Sequence, residues 1–220
     1  MKTRLHTVLA GPLLMLLWTT SAIAGTIIFD NNANPPTNFP LSDRSGGQIL
    51  ADDFSLTAGQ NTIGDVHWTG RYLGAPPTLP TDAFSIYVCG DTPTPGRPNS
   101  CVALTFLATD VTRASHLLSG YYDYAVDLTT PLTVGAGTQW LSIFNNTGSW
   151  EWGDQVGVGN AMQTNNFNTG SPPTTTWGAE SGAAAQDFQL TGVPEPCTLA
   201  FLGTGLAGLV ALSRRRKARA

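Results

Sequence analysis

Trp140, Trp150 and Trp152 stand close along the chain to Asn145, Asn146 and Glu151, a set of side chains suited to a sugar. Flat rings stack on the C–H faces of a pyranose while amides and carboxylates take its hydroxyls. Trp150 and Trp152 have the same parity around Glu151, so in extended chain both rings aim the same way. The competing role is packing, because each such ring buries roughly 150–250 Å² in a core. Glu151 and Asp154 also offer an acid and a base for glycosidic cleavage, a chemistry that depends on their separation in space rather than in sequence. Histidine adds little to that case. His67 and His116 are the only ones between Gly25 and Val193, no Gly-x-Ser-x-Gly elbow is present, and His67 beside Trp68 reads as an ordinary strand residue. Asn145-Asn146-Thr147 spells a glycosylation acceptor, which we read as coincidental.

Asp30, Asn31, Asn32, Asp52 and Asp53 are oxygen donors of the kind Ca²⁺ takes six to eight of. Their spacing does not fit the twelve-residue calcium loop, and paired acids equally serve to keep a strand edge from adding further strands. Cys89 and Cys101 are the only cysteines between Gly25 and Val193, and they flank a Pro- and Gly-bearing turn that joins two apolar runs. A disulfide across that turn is expected, worth about 3 kcal/mol by chain entropy for a loop of this size. Two cysteines with no histidine between them fall short of a zinc site.

The elements that must position these groups read as all-β. No segment of the middle region carries a sustained helical apolar stripe, whereas short β-favouring runs recur between turn signals. Strands are expected at 26–29, 49–56, 62–69, 83–89, 101–107, 121–128, 139–144 and 185–190. In the fourth, Phe84, Ile86 and Val88 alternate with Ser85, Tyr87 and Cys89, the period of two that puts one set on the core face. In the third, Ile63 and Trp68 fall on opposite parities and leave the inner face ambiguous. About eight strands in one domain favour a two-sheet β-sandwich, with a jelly roll as one arrangement of it.

Charge divides the chain into three parts. Residues 25–193 hold four arginines, no lysine and fourteen acidic residues, a formal charge of −10, while the whole chain reads −4. So acidic a body repels nucleic-acid phosphates, and we exclude a nucleic-acid partner. The basic residues gather at the ends. Lys2 and Arg4 precede an apolar run from Val8 to Trp18, followed by Ala22 and Ala24, the layout of a signal peptide over residues 1–24 cut before Gly25. At the other end, residues 197–213 contain no formal charge and are followed by Arg214, Arg215, Arg216 and Lys217. Seventeen such residues are at the lower limit for a transmembrane helix, and the basic cluster behind them acts as a cytoplasmic stop-transfer signal.

Val193, Pro194, Glu195 and Pro196, then Leu199, the Gly205-to-Leu209 stretch and the Arg214-to-Lys217 cluster, resemble the PEP-CTERM sorting signal of exopolysaccharide-producing Gram-negative bacteria. The resemblance covers residues 193–220, with Cys197 where that family usually has Ser, Thr or Ala. It implies an exosortase as partner after signal peptidase, an anchored intermediate in the inner membrane, tail removal near the tripeptide, and release to the cell surface or extracellular matrix. The segments Ala51-Asp52-Asp53-Phe54, Val66 to Tyr72 and Asp187 to Gly192 are similar to an extracellular domain often carried ahead of this tail. The expectation is therefore a non-enzymatic exported surface or matrix protein, 25–192 being its β-sandwich, that needs no cofactor and interacts with exopolysaccharide. A polysaccharide-modifying hydrolase and a calcium-dependent structural or adhesion module are the alternatives.

Overall fold

The computed structural model describes residues 25–31, 36, 39–77, 83–92, 96–156, 161–164, 177–179 and 184–193. The expected signal peptide, Asn32, and everything from Pro194 onward, including the 197–213 span and the Arg214-to-Lys217 cluster, lie outside these residues. Among the described residues no helix is long and apolar enough to cross a membrane.

Among the described residues fourteen strands form: β1 (Thr26–Asp30), β2 (Ile49–Leu56), β3 (Thr62–Tyr72), β4 (Phe84–Asp91), β5 (Pro98–Ala103), β6 (Thr112–Ser115), β7 (Tyr122–Thr133), β8 (Gly137–Asn145), β9 (Trp150–Trp152), β10 (Asp154–Val156), β11 (Met162–Thr164), β12 (Gly178–Ala179), β13 (Ala184–Gln186) and β14 (Phe188–Gly192). They make the expected sandwich. One sheet has the order β1-β14-β3-β7-β6, with β9 also on β3; the other runs β12-β11-β2-β8-β4-β5; β10 and β13 pair separately. The named strands pair antiparallel throughout.

Alternation explains the core. Phe84, Ile86 and Val88 of β4 and Leu141 and Ile143 of β8 are buried against Val66, Trp68, Tyr124, Val126, Phe188 and Leu190 of the other sheet. The parity conflict in β3 is resolved by a register shift between Ile63 and Asp65, two residue steps that face the single step from Gly192 to Thr191 of β14. A bulge there inserts one residue, so Ile63, Val66 and Trp68 can all be buried although their numbers disagree. The opposite parity of the second sheet builds a smaller cluster on its outer side, from Ile49, Ala51, Cys89, Trp140, Phe144 and Trp177. The Cys89–Cys101 disulfide is formed and ties β4 to β5 beside that cluster.

Several strands differ from expectation. β3 runs on to Tyr72 because β7 and then β9 continue to pair with it, and β7 runs on to Thr133 because it pairs again with Ile63 and Thr62 of β3. β5 spans Pro98–Ala103 rather than 101–107, since the disulfide and the pairing of Asp91 with Pro98 hold the earlier residues on β4. The expected strand at 185–190 divides at Asp187 into β13 and β14, which serve different partners.

Candidate functional site at the two ends of the sandwich

The structure separates the three tryptophans and buries them all. Trp140 is 2% exposed in the outer cluster of the second sheet, whereas Trp150 and Trp152 are 0% exposed in the main core. Trp150 and Trp152 do face the same way from β9, but inward. Trp150 meets Phe84 edge-on at 5.0 Å, Trp152 donates its indole N–H to the Asp187 carbonyl, and Trp140 donates to Asp91 Oδ1. This corrects the expected sugar platform of Trp140, Trp150, Glu151 and Trp152: rings without a free face cannot stack on a pyranose, and the demand for core volume in a sandwich takes precedence.

Glu151, outward between the two rings, accepts a hydrogen bond from Arg71 Nε across the β3–β9 pair. The Arg71 guanidinium also donates to the Tyr121 hydroxyl and lies 4.6 Å from the centre of the Phe39 ring, which stacks on Tyr121. Asp154 is fully buried on β10 opposite Gln186. Glu151 and Asp154 thus serve different strand pairs, and Glu151 is occupied by a cation.

An open cleft of about 540 Å³ lies at the same end, lined by Tyr72, Leu73, Pro77, Thr147, Gly148 and Ser149. Its floor is organised by Asn145, whose amide donates to the Tyr72 hydroxyl while its Oδ1 accepts from Thr147 N, Thr147 Oγ1 and Gly148 N. An Asn side chain that closes a turn on its own backbone in this way shapes the 145–148 loop. The apparent glycosylation acceptor is therefore a fully buried loop organiser. Leu73, 61% exposed, offers the cleft an apolar face beside hydroxyls. Tyr72 and Asn145 were missed at the sequence level as a cleft-forming pair, since nothing in their spacing connects them.

Among the oxygen donors considered for calcium, Asn31 and Asp52 meet. Asp52 Oδ2 accepts from Asn31 Nδ2 and from the Gln186 amide, and Oδ1 accepts from the Asp53 amide. Burial pushes the Asp52 carboxyl up to about 8, against the pull of those donors. Its oxygens are used to join β2 to β13. Among the described residues, no group of three or more His, Cys, Asp and Glu is arranged to hold a metal ion. His67 Nε2 pairs with Asp65 two residues away at 2.9 Å, and that hydrogen bond raises the imidazole pKa. Asp187, fully buried between β13 and β14, is raised to about 7 by desolvation.

At the opposite end both termini of the sandwich emerge side by side. Thr26 is the register partner of Gly192, and a Cβ at Gly25 would fall 2.7 Å from Thr191 Oγ1. β14 is an interior strand between β1 and β3, and Val193 N still donates to Thr62 O. The chain leaves the sheet for Pro194 with no linker between.

Residues 192–217 match the PEP-CTERM protein-sorting motif. A tail of this kind implies an exported protein, held at the membrane as an intermediate and sorted to the cell surface with an exosortase as its processing partner. No curated protein and no solved structure matches the chain.

Proposed function

We propose that this protein is a non-enzymatic β-sandwich module of the cell surface or extracellular matrix, exported by residues 1–24, anchored through 197–213 and released by cleavage near Pro194-Glu195-Pro196. The observation that carries this reading is the sorting motif that begins at residue 192, on the last strand of the sandwich itself. The sandwich is what the tail delivers. Contact with exopolysaccharide falls to the end away from the tail, where the cleft beside Tyr72 combines exposed Leu73 with the hydroxyls of Thr147 and Ser149. Apolar surface interrupted by a few fixed polar groups suits a neutral sugar, and the −10 body favours uncharged polymer over anionic polymer. This function calls for no cofactor.

Protein purified from the surface of producing cells should be retained on their own secreted polysaccharide, and Leu73→Glu should reduce that retention severalfold without lowering the melting temperature. Equal retention of the wild type and the variant would exclude the cleft. No retention of either would remove the polysaccharide contact and leave the sorted surface module.

A further inference from the structure

The end of the sandwich from which the tail leaves is built from two loops, 57–61 and 133–137, and the starts of β1 and β3. Neither loop contains a charged residue: one reads Thr-Ala-Gly-Gln-Asn and the other Thr-Val-Gly-Ala-Gly. Thr57, Ala58, Gly59, Gln60, Gly135 and Ala136 are exposed. Ile27 and Val193 flank the exit with 54% and 42% of their surface open. The neighbouring β4–β5 turn contributes Asp91 and Arg97, one of each sign. In a body of charge −10, the two loops themselves carry no charge and Asp91 and Arg97 offset each other, while the nearest other carboxylates of β3 and β7, Asp65 and Asp127, stand three residues behind Thr62.

Chain length says what this end must face. From Val193 to Cys197, where the charge-free span begins, there are four residue steps, which reach at most about 14 Å even when fully extended. The headgroup layer takes up about 6 Å of that on each side of a bilayer. The remaining gap is not much more than one Debye length of about 8–10 Å at ordinary ionic strength. An acidic cluster on this end would thus feel anionic headgroups incompletely screened. The other end, one length of β3 away, lies roughly 35 Å farther out at about 3.3 Å per residue.

We propose that the 57–61 and 133–137 loops, with Ile27 and Val193, form a membrane-apposed surface that rests against the phospholipid headgroups while the tail is inserted. This rests on the reading of 197–213 as a membrane span. Its neutrality lets so acidic a body sit against the bilayer, and the juxtaposed ends place Gly25 and the Pro-Glu-Pro segment at the same surface for both processing steps.

The test uses residues 25–220 with Cys197→Ser, reconstituted into phosphatidylethanolamine–phosphatidylglycerol vesicles that contain a headgroup nitroxide quencher. A fluorophore is placed singly on Ala58→Cys, Ala136→Cys or, at the far end, Leu117→Cys, which replaces a 95% exposed side chain. The expected result is co-flotation of all three with the vesicles, and severalfold stronger quenching at 58 and 136 than at 117. Co-flotation with equal or stronger quenching at 117 overturns the proposal and leaves the membrane span standing. Failure to float removes the span and the proposal together. Because no enzyme is present, an apposition that depends on exosortase alone would show no quenching at 58 or 136 and would also overturn it.

Discussion

At the end where the chain enters and leaves the sandwich, the loops are uncharged and short; the far end gathers charged side chains of both signs, Asp43, Arg44, Arg71, Arg113, Asp123 and Glu151, with His116. The far end also carries the cleft and the Arg71 stack on Phe39 and Tyr121. The difference follows from what each end can solvate. Polar networks at the far end are held by buried rings beneath them, with Gly70 packed so closely on Trp150 that a Cβ would lie 2.3 Å from the indole. Near the tail, backbone pairing of Thr26 with Gly192, Thr62 with Thr133 and Leu56 with Gly137 is joined by neutral side-chain hydrogen bonds, Asn61 Nδ2 to Val134 O and Thr62 Oγ1 with Thr133 Oγ1. One end is tied by charged groups and aromatic rings, the other by main chain and neutral polar groups.

That contrast should break most visibly in stability. Trp150→Ala removes a fully buried ring from beneath β3 and should cost about 3–5 kcal/mol, whereas Ala58→Ser and Ala136→Ser, on exposed loops, should change stability negligibly. Chemical denaturation of the three variants reads this directly; a comparable loss at either loop would erase the distinction.

A second, somewhat smaller effect belongs to the tail-proximal side of the second sheet. Reducing Cys89–Cys101, or replacing both residues with alanine, should cost about 3 kcal/mol while leaving the cleft's sugar retention unchanged. Peptide mapping without reductant should recover the two cysteines in one linked fragment, and free alkylation of both in native protein would refute the bond.

The smallest predicted effect concerns pH. Asp187 is raised to about 7 from 3.8 and Asp52 to about 8, both chiefly by burial. Between pH 4 and 8 the folded chain therefore keeps protons that the unfolded chain has released, so stability declines as pH rises through that window. Asp187→Asn cannot ionise; it should gain about 2 kcal/mol over the wild type at pH 8 relative to pH 5. Melting curves at the two pH values check this, and parallel behaviour of variant and wild type would show that Asp187 does not titrate in the fold.

How much of this was legible in the amino-acid order varies with the physical scale of the signal. The strict alternation of Phe84, Ile86 and Val88 identified a core strand because burial on one face needs only period two. β9, β10, β11 and β12 escaped notice because two or three residues are too few to show any period. The bulge at Gly64 was visible only as a parity conflict between Ile63 and Trp68; pairing with β14 was needed to resolve it. At the candidate site, the shared direction of Trp150 and Trp152 was readable, but whether that direction was inward depended on Phe84 and Tyr124, distant in sequence. The pairing of Cys89 with Cys101 was the easiest to read, since only two cysteines lie between Gly25 and Val193. The burial of Asp187 left no trace in its neighbours, because it arises where two strand pairs part company.

The central claim is that the sandwich is cargo and the segment after Val193 is its address. Intact-mass measurement of the protein from its own host, beside protein expressed in a host without exosortase, tests it most directly. The account predicts loss of the tail near Pro194-Glu195-Pro196 in the first and retention through Ala220 in the second. A chain ending at Ala220 in both hosts would contradict it.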